Sequence, residues 1–262
     1  MTTEEILNGL HTQILGREMV IYDRIGSTND LALQRGIEGG REGTLILAEC
    51  QTAGRGRHGR RWHAPSGTSL LASLIFRHRL LADQIGIPNL IGAVAIATAI
   101  RELTDQPATI KWPNDVQIQG KKVSGILTEL EYDRHRQPFF VMGFGVNVNT
   151  SLADFPEELR AWATSLRIES GREISRVALL QMILHRLEDN YLHLKRGKIA
   201  SIIEAANRLS GTLGKWVRLE MAKGTFEGIA EKIDADGGLW LRDESGQSRK
   251  FLVGEVVHTR GL

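Results

Sequence analysis

The sequence predicts an α+β protein: a mixed β-sheet covered by helices, followed by a small C-terminal β-barrel of SH3-like size. Three observations carry this. The runs TLILAEC (44–50), SLLASLIF (69–76) and FFVMGFGVNV (139–148) are apolar, of strand length, and bounded by glycine or polar residues. Two longer segments, 87–103 and 176–209, have helical character. From Gly214 onward, WVRLEM, FEGIAEKI, LWLRDE and KFLVGEVVHT alternate with Gly and Asp turns, the pattern of a small barrel. A boundary near Ser210 divides a domain of residues 1–210 from one of 211–262.

The elements follow in order. A short strand at 20–24 leads into GSTNDLALQRG, where Ser27, Thr28, Asn29 and Asp30 offer capping side chains ahead of a short helix. Strands at 44–50 and 69–76 flank an arginine-rich loop, so the ends of that loop are anchored on a sheet. The greasy segment IPNLIGAVAIATAI (87–100) contains Pro88 and Asn89 and falls short of the roughly 20 residues of a membrane span, which marks a core helix. TIKW, DVQIQGKKVSGILTEL with its QGKK turn, and FFVMGFGVNV are strands in hairpin sequence. Val177, Leu179, Leu180, Ile183, Leu184, Leu187, Tyr191 and Leu194 then recur at helical spacing, giving one or two amphipathic helices that cover one face of the sheet.

Composition bounds the function. Hydrophobic residues at 42% and charged residues at 24% are ordinary globular usage, and a net charge of +2 gives no general footprint of a nucleic-acid binder. Any basic patch is therefore local. Cys50 is the single cysteine, which rules out an internal disulfide or a paired-cysteine zinc site and fits a reducing compartment. The segment MTTEEILNGL has no cationic region leading into a long apolar core, so it does not read as a secretory signal. The dispersed histidines show no metal-ligand spacing.

Four motifs carry chemistry. QTAGRGRHGRRW (51–62) sets Arg55, Arg57, Arg60 and Arg61 among Gly54, Gly56 and Gly59. Glycine admits close backbone approach and arginine forks match phosphate or carboxylate oxygens, so the loop suits an anion; a merely solvated basic loop has no use for Trp62, whose ring can stack a purine. GRGRHG satisfies GxGxxG formally but opens no apolar helix, which disfavours a dinucleotide fold. KWPND (111–115) places Asn114 and Asp115 beside Lys111, either as a strand-ending turn or as a group that meets a magnesium-nucleotide or an incoming amine. GKKVSGIL (120–127) pairs Lys122 with Gly125, a strand glycine marking a bulge or a close approach, and GFGVNVN (143–149) places Asn147 in a second glycine-bearing strand.

In this order, GSTN, QTAGRGRHGRRW, KWPNDV, GKKVSGIL and GFGVNVN resemble the biotin protein ligase family, from about Val20 to the C-terminus. The family loop most often has arginine where this chain has His58. The resemblance implies a class II synthetase-like biotin/lipoate ligase core and a two-step reaction. Biotin and magnesium-ATP give biotinyl-5'-AMP and pyrophosphate; a lysine of a biotin carboxyl carrier protein, from acetyl-CoA carboxylase or a related enzyme, then takes the biotinyl group. The like charges of carboxylate and polyphosphate repel and need cations aimed at the transition state, and a glycine-rich loop that closes over ligand keeps a reactive adenylate from water.

The resemblance also implies roles. Arg57, Lys122, Asp115 and Lys111 are the catalytic candidates, with Asp115 orienting or deprotonating the acceptor lysine. Biotin falls to Ser27, Thr28, Asn29, Gln51, Gly54, Arg55, Arg57, Lys122 and Gly125. The nucleotide falls to Arg57, Trp62, Asn114, Asn147 and Trp162. No dedicated protein metal site is expected. Glu255 and Arg260 lie near the place where the family closes on nucleotide, one residue further apart than its usual spacing. About two dozen residues precede Ser27, below the roughly 50 or more of a domain, so the expectation is a cytoplasmic ligase without repressor function, binding neither DNA nor membrane, as a monomer or a sheet-mediated homodimer. The alternatives are a lipoate-protein ligase and a nucleic-acid-binding module using Arg55 to Arg61.

Overall fold

Two sheets share one apolar core in the computed structural model, which describes residues 1–81 and 84–258. The larger has seven strands: β1 (Met19–Tyr22), β2 (Leu45–Ala48), β3 (Ser69–Phe76), β4 (Thr109–Lys111), β5 (Asp115–Ile118), β6 (Lys121–Tyr132) and β7 (Pro138–Asn147). Their spatial order is β1-β2-β3-β7-β6-β5-β4; β1 and β2 run parallel and every other neighbour is antiparallel. The sheet is thus mixed, as the hairpin sequence predicts. The smaller sheet, β8 (Trp216–Met221), β9 (Gly224–Ile233), β10 (Leu239–Arg242), β11 (Ser248–Phe251) and β12 (Glu255–His258), is antiparallel in the order β11-β10-β9-β8-β12, the SH3-like barrel element.

Helices supply the cover. α1 (Thr3–Leu7), not foreseen from sequence, begins with a capping box between Thr2 and Glu5. α2 (Thr28–Ile37) crosses between β1 and β2 with Ser27 as its N-cap. α3 (Ile87–Thr104) has Pro88 in its first turn, where a missing N–H costs nothing. It is apolar all round and largely buried, a core helix rather than a membrane span. α4 (Leu166–Ser170), α5 (Arg176–Lys195) and α6 (Ile199–Leu209) follow, the last two being the pair expected from the helical periodicity.

Strand alternation gives the large sheet two unlike faces. Leu70, Ala72, Leu74 and Phe76 of β3, with Phe140, Met142, Phe144 and Val146 of β7, are buried with residues of α3 and α5 in the main core. Phe76 stacks on Phe140 with ring centroids 4.8 Å apart, and the Tyr191 ring meets Phe76 edge-on at 4.7 Å. On the opposite face α2 covers only part of the sheet, where Ala32 packs with Ile46, Ile75, Phe139 and Val141. The rest of that face carries Gly143, Gly145, Gly125 and polar residues, and there the site forms.

Candidate active site

Register draws one line of residues across the second face. Lys111 pairs with Asp115, Asp115 with Gly125, and Gly125 with Gly145. Paired residues share a face, so a lysine, an aspartate and two glycines form a row over four strands. Lys122 joins it because the β5–β6 register shifts between Val116 and Gln117. Without that bulge, alternation would send Lys122 to the core face with Ser124 and Ile126. Its ammonium instead meets Asp115 Oδ1 at 2.6 Å, and its stem lies 2.9 Å from where a Gly125 Cβ would stand.

The KWPND stretch is the turn between β4 and β5, with a cis Trp112–Pro113 bond. Trp112 is fully buried and donates its indole N–H to Gly237 O at 2.9 Å, pinning the turn to the second sheet. Asn114 donates to Ile126 O at 2.8 Å and accepts from the Arg57 guanidinium at 2.9 Å. Arg57 also donates to Gly254 O at 3.3 Å.

The arginine-rich loop expected between two strands is itself a short hairpin. A bridge joins Arg55 and Arg61, Gly56 N–H donates to Arg60 O at 2.7 Å, and Trp62 N–H to Gly54 O at 3.0 Å. His58 and Gly59 turn its tip with positive φ, 56° and 72°. Trp62 folds back onto the sheet: its indole sits where a Gly145 Cβ would be, against Gly125 as well, with the Lys122 ammonium 5.6 Å from the ring centroid. Its indole N–H is buried without a hydrogen-bond partner, as is Asn147 Oδ1, while Asn147 Nδ2 donates to Thr164 O at 3.0 Å. Buried polar atoms left unpaired at one place mark where a ligand or water completes the bonding.

At the other end of the face the first turn of α2 is buried and polar. Thr28 N–H and hydroxyl both donate to Gln51 Oε1, at 2.7 and 3.1 Å. The Ser73 hydroxyl reaches Asn29 Oδ1 at 2.5 Å and Thr28 Oγ1 at 2.8 Å, and Asn29 Nδ2 donates to Glu129 at 2.8 Å. Asn29 lies so close over Gly143 that no Cβ fits there. The Ser27 hydroxyl accepts a long 3.5 Å contact from Asp30 N–H.

Cations concentrate around this face. Burial pulls Arg57 below the ordinary arginine value, with Asp115 and Glu255 opposing; burial likewise depresses Lys111, against the same two carboxylates. Glu255 would be raised by its own burial, but hydrogen bonding and charge from Arg60, with Lys111 and Arg57, hold it below the usual carboxylate range. Arg60 meets Glu255 in a two-point pair at 2.5 and 2.6 Å, the hydrogen bonds outweighing burial and raising its pKa. Arg55 pairs with both oxygens of Glu129 at 2.9 and 2.7 Å and with Asp30 at 2.7 Å.

The fifteen residues expected at the site thus divide among its parts. Lys111, Asp115, Lys122, Gly125 and Trp62 share the glycine row, with Arg57 and Asn114 at its edge and Asn147 along β7. Ser27, Thr28, Asn29 and Gln51 gather at the α2 end; Gly54 and Arg55 begin the hairpin beside them, and Gly54 has the Gln51 amide nitrogen 3.3 Å from its Cβ position. Trp162 accepts at its carbonyl from Lys122 N–H at 2.7 Å, while the residue as a whole stays 65% exposed. Glu255 belongs to the cluster; Arg260 lies outside the described residues. Ser73 and Glu129 were missed, although Glu129 stands two and four residues beyond Leu127 and Gly125, on the same strand face. No group of His, Cys, Asp and Glu suited to a metal ion occurs among the described residues.

The helix-backed mixed sheet joined to a small antiparallel sheet matches the class of biotin and lipoate ligases. Residues 21–147 match the Biotin/lipoate A/B protein ligase family and residues 212–259 the Biotin protein ligase C terminal domain. Among relatives, the Bifunctional ligase/repressor BirA of Bacillus subtilis is 36% identical over 246 residues, covering 94% of this chain and 76% of that protein. The Biotin--[acetyl-CoA-carboxylase] ligase of Mycobacterium tuberculosis is 34% identical over 262 residues, covering 96% and 94%. The solved biotin protein ligase from Aquifex aeolicus in complex with biotin and ATP superposes with a TM-score of 0.81 at 27% identity, over 94% of this chain and 100% of that one. The chain belongs to the biotin protein ligase family and is an enzyme of that type.

Proposed function

We propose that this chain condenses biotin with ATP to biotinyl-5'-AMP and passes the biotinyl group to a lysine of a biotin carboxyl carrier protein. The observation that carries this is the row Lys111–Asp115–Gly125–Gly145 beneath Trp62, flanked by Arg57 and Lys122. In the first step a biotin carboxylate oxygen bonds to the α-phosphorus as the α–β phosphoanhydride breaks and pyrophosphate leaves. The two anions repel in a desolvated site, and Arg57 and Lys122 offset that charge where it develops. In the second step the acceptor amine attacks the mixed anhydride, AMP departs, and Asp115 is the carboxylate placed to orient the amine and take its proton.

The biotin ureido ring needs hydrogen-bond partners to leave water. Ser27, Thr28, Asn29 and Gln51 supply them, with backbone approach at Gly54, Arg55 and Gly125. Trp62, Asn114 and Asn147 line the nucleotide side, and the exposed Trp162 ring is free to cover it. Asp115 and Glu255 are already held by Lys122 and Arg60, which suits Mg2+ arriving with the phosphates as part of the substrate rather than held by the protein. The catalytic domain ends near residue 210, where the small sheet's domain begins, and the enzyme works in the cytoplasm.

A phosphate-binding patch for nucleic acid fits less well, because Arg55 and Arg60 already spend their forks on carboxylates. ATP–pyrophosphate exchange measured with biotin and with lipoate is the test. Exchange with biotin, followed by labelling of a carrier domain, is expected; exchange with lipoate alone overturns the assignment.

A further inference from the structure

The arginines of the hairpin are not equivalent. Arg57 meets two neutral acceptors, whereas Arg55 delivers a planar fork to Glu129 and a third contact to Asp30 at the start of α2. Glu129 has another partner: its Oε2 accepts from Asn29 Nδ2 at 2.8 Å. A carboxylate only accepts, so Glu129 decides which way the Asn29 amide faces. With Nδ2 held by Glu129 and by Leu127 O at 3.3 Å, Asn29 Oδ1 turns to the Ser73 hydroxyl. One carboxylate in the second half of β6 therefore fixes both a buried amide of the first turn of α2 and the entry to the arginine hairpin.

We infer that Glu129 is a positioning residue that couples the biotin end of the site to the arginine hairpin, acting through Asn29 and through Arg55, and that the Arg55 side chain serves this clamp rather than contacting ligand. This rests on the ligase reading above. Isolated exposed ion pairs contribute little, but a two-point arginine–carboxylate pair shared with a third group is the geometry in which they count. With the clamp formed, the hairpin stands where Arg57 and Trp62 face the row. With it broken, the hairpin entry and the Asn29 amide lose their common reference together.

The test is a cycle of Glu129→Gln, Arg55→Lys and the double variant in the full chain, reading biotin affinity by calorimetry, the rate at which biotinyl-5'-AMP escapes, and thermal stability. Glu129→Gln presents an amide N–H₂ to donors, so about tenfold weaker biotin binding and about tenfold faster adenylate escape are expected. Arg55→Lys keeps the charge and loses the fork; it should speed adenylate escape comparably while biotin affinity moves less than about threefold. The double variant should match Glu129→Gln alone, since both break one clamp. Additive effects, unchanged adenylate escape in Glu129→Gln, or a change confined to thermal stability overturn the inference. If Glu129→Gln does not fold, unchanged escape in Arg55→Lys overturns it. Wild-type protein without biotin-dependent pyrophosphate exchange overturns the ligase reading and this inference with it; normal wild-type exchange with unresponsive variants overturns the inference alone.

Discussion

The two faces of the large sheet are made by the same strands and have opposite occupants. Along β7, Phe140, Met142, Phe144 and Val146 fill the core against α3 and α5, while Gly143 and Gly145, on the alternate positions, carry nothing. Space vacated on one face is occupied by Asn29 and Trp62, side chains brought from distant segments. Apart from the patch that α2 covers at Phe139 and Val141, the main core thus rests on one set of alternate residues and the proposed ligand site on the other, so substitutions one residue apart in the chain should separate the two properties.

The core face should give the largest effect. Phe140→Ala removes a buried ring stacked on Phe76 and should cost about 3–5 kcal/mol of unfolding free energy. Chemical denaturation measures this, and well below the transition its Michaelis constants for biotin and ATP should stay within about twofold. A large kinetic change with intact stability would mean the faces are not independent. Arg57→Ala and Lys122→Ala are the converse: each should slow adenylate formation by about a hundredfold or more, as loss of a charge-stabilising donor does, with a melting temperature close to wild type. Single-turnover formation of biotinyl-5'-AMP checks it.

The glycines sharpen the comparison within the site face. A Cβ at Gly143 collides with the Asn29 amide, and one at Gly145 with the Trp62 indole. Gly143→Ala should raise the Michaelis constant for biotin by about tenfold, through disturbed ureido partners. Gly145→Ala should act on ATP instead, by a comparable factor, and Trp62→Ala should show the same preference for ATP over biotin. Equal loss of both substrates in both glycine variants would remove the division of the site into two ends.

The glycine face was legible in the sequence as motifs but not as a geometry. A continuous apolar run of strand length located β3 at its observed ends, and the glycines at 125, 143 and 145 fall in strand segments, which invites a search for what approaches them. The bulge that turns Lys122 onto the same face as Gly125 depends on how β5 and β6 are paired, and residues three apart in a regular strand point to opposite sides. The partners of the arginines were beyond reach for a related reason. Glu129 is 74 residues from Arg55 and Glu255 is 195 from Arg60, so only the closed sheet and the docked second sheet bring them together. A run of four arginines therefore reads as one patch of charge, whereas the fold ties Arg55 and Arg60 to carboxylates and leaves Arg57 on neutral acceptors.

Lys111 gives the smallest expected effect and the most direct test that this face is built for phosphate. Burial depresses its pKa in the folded protein, while the unfolded chain keeps the ordinary value of 10.5. The unfolded state thus binds more protons between those two values, so stability gained from this group is present above the ordinary lysine value and is lost as pH falls through the folded one. Lys111→Gln should be more stable than wild type at neutral pH, by less than the Phe140 effect, and the difference should shrink as pH rises toward 10.5. On the proposed reading, a polyphosphate bound at this face would repay the desolvation of this ammonium. A non-hydrolysable ATP analogue added with biotin should therefore raise the melting temperature of wild type more than that of Lys111→Gln at neutral pH, and equal shifts in the two would place the phosphates away from Lys111.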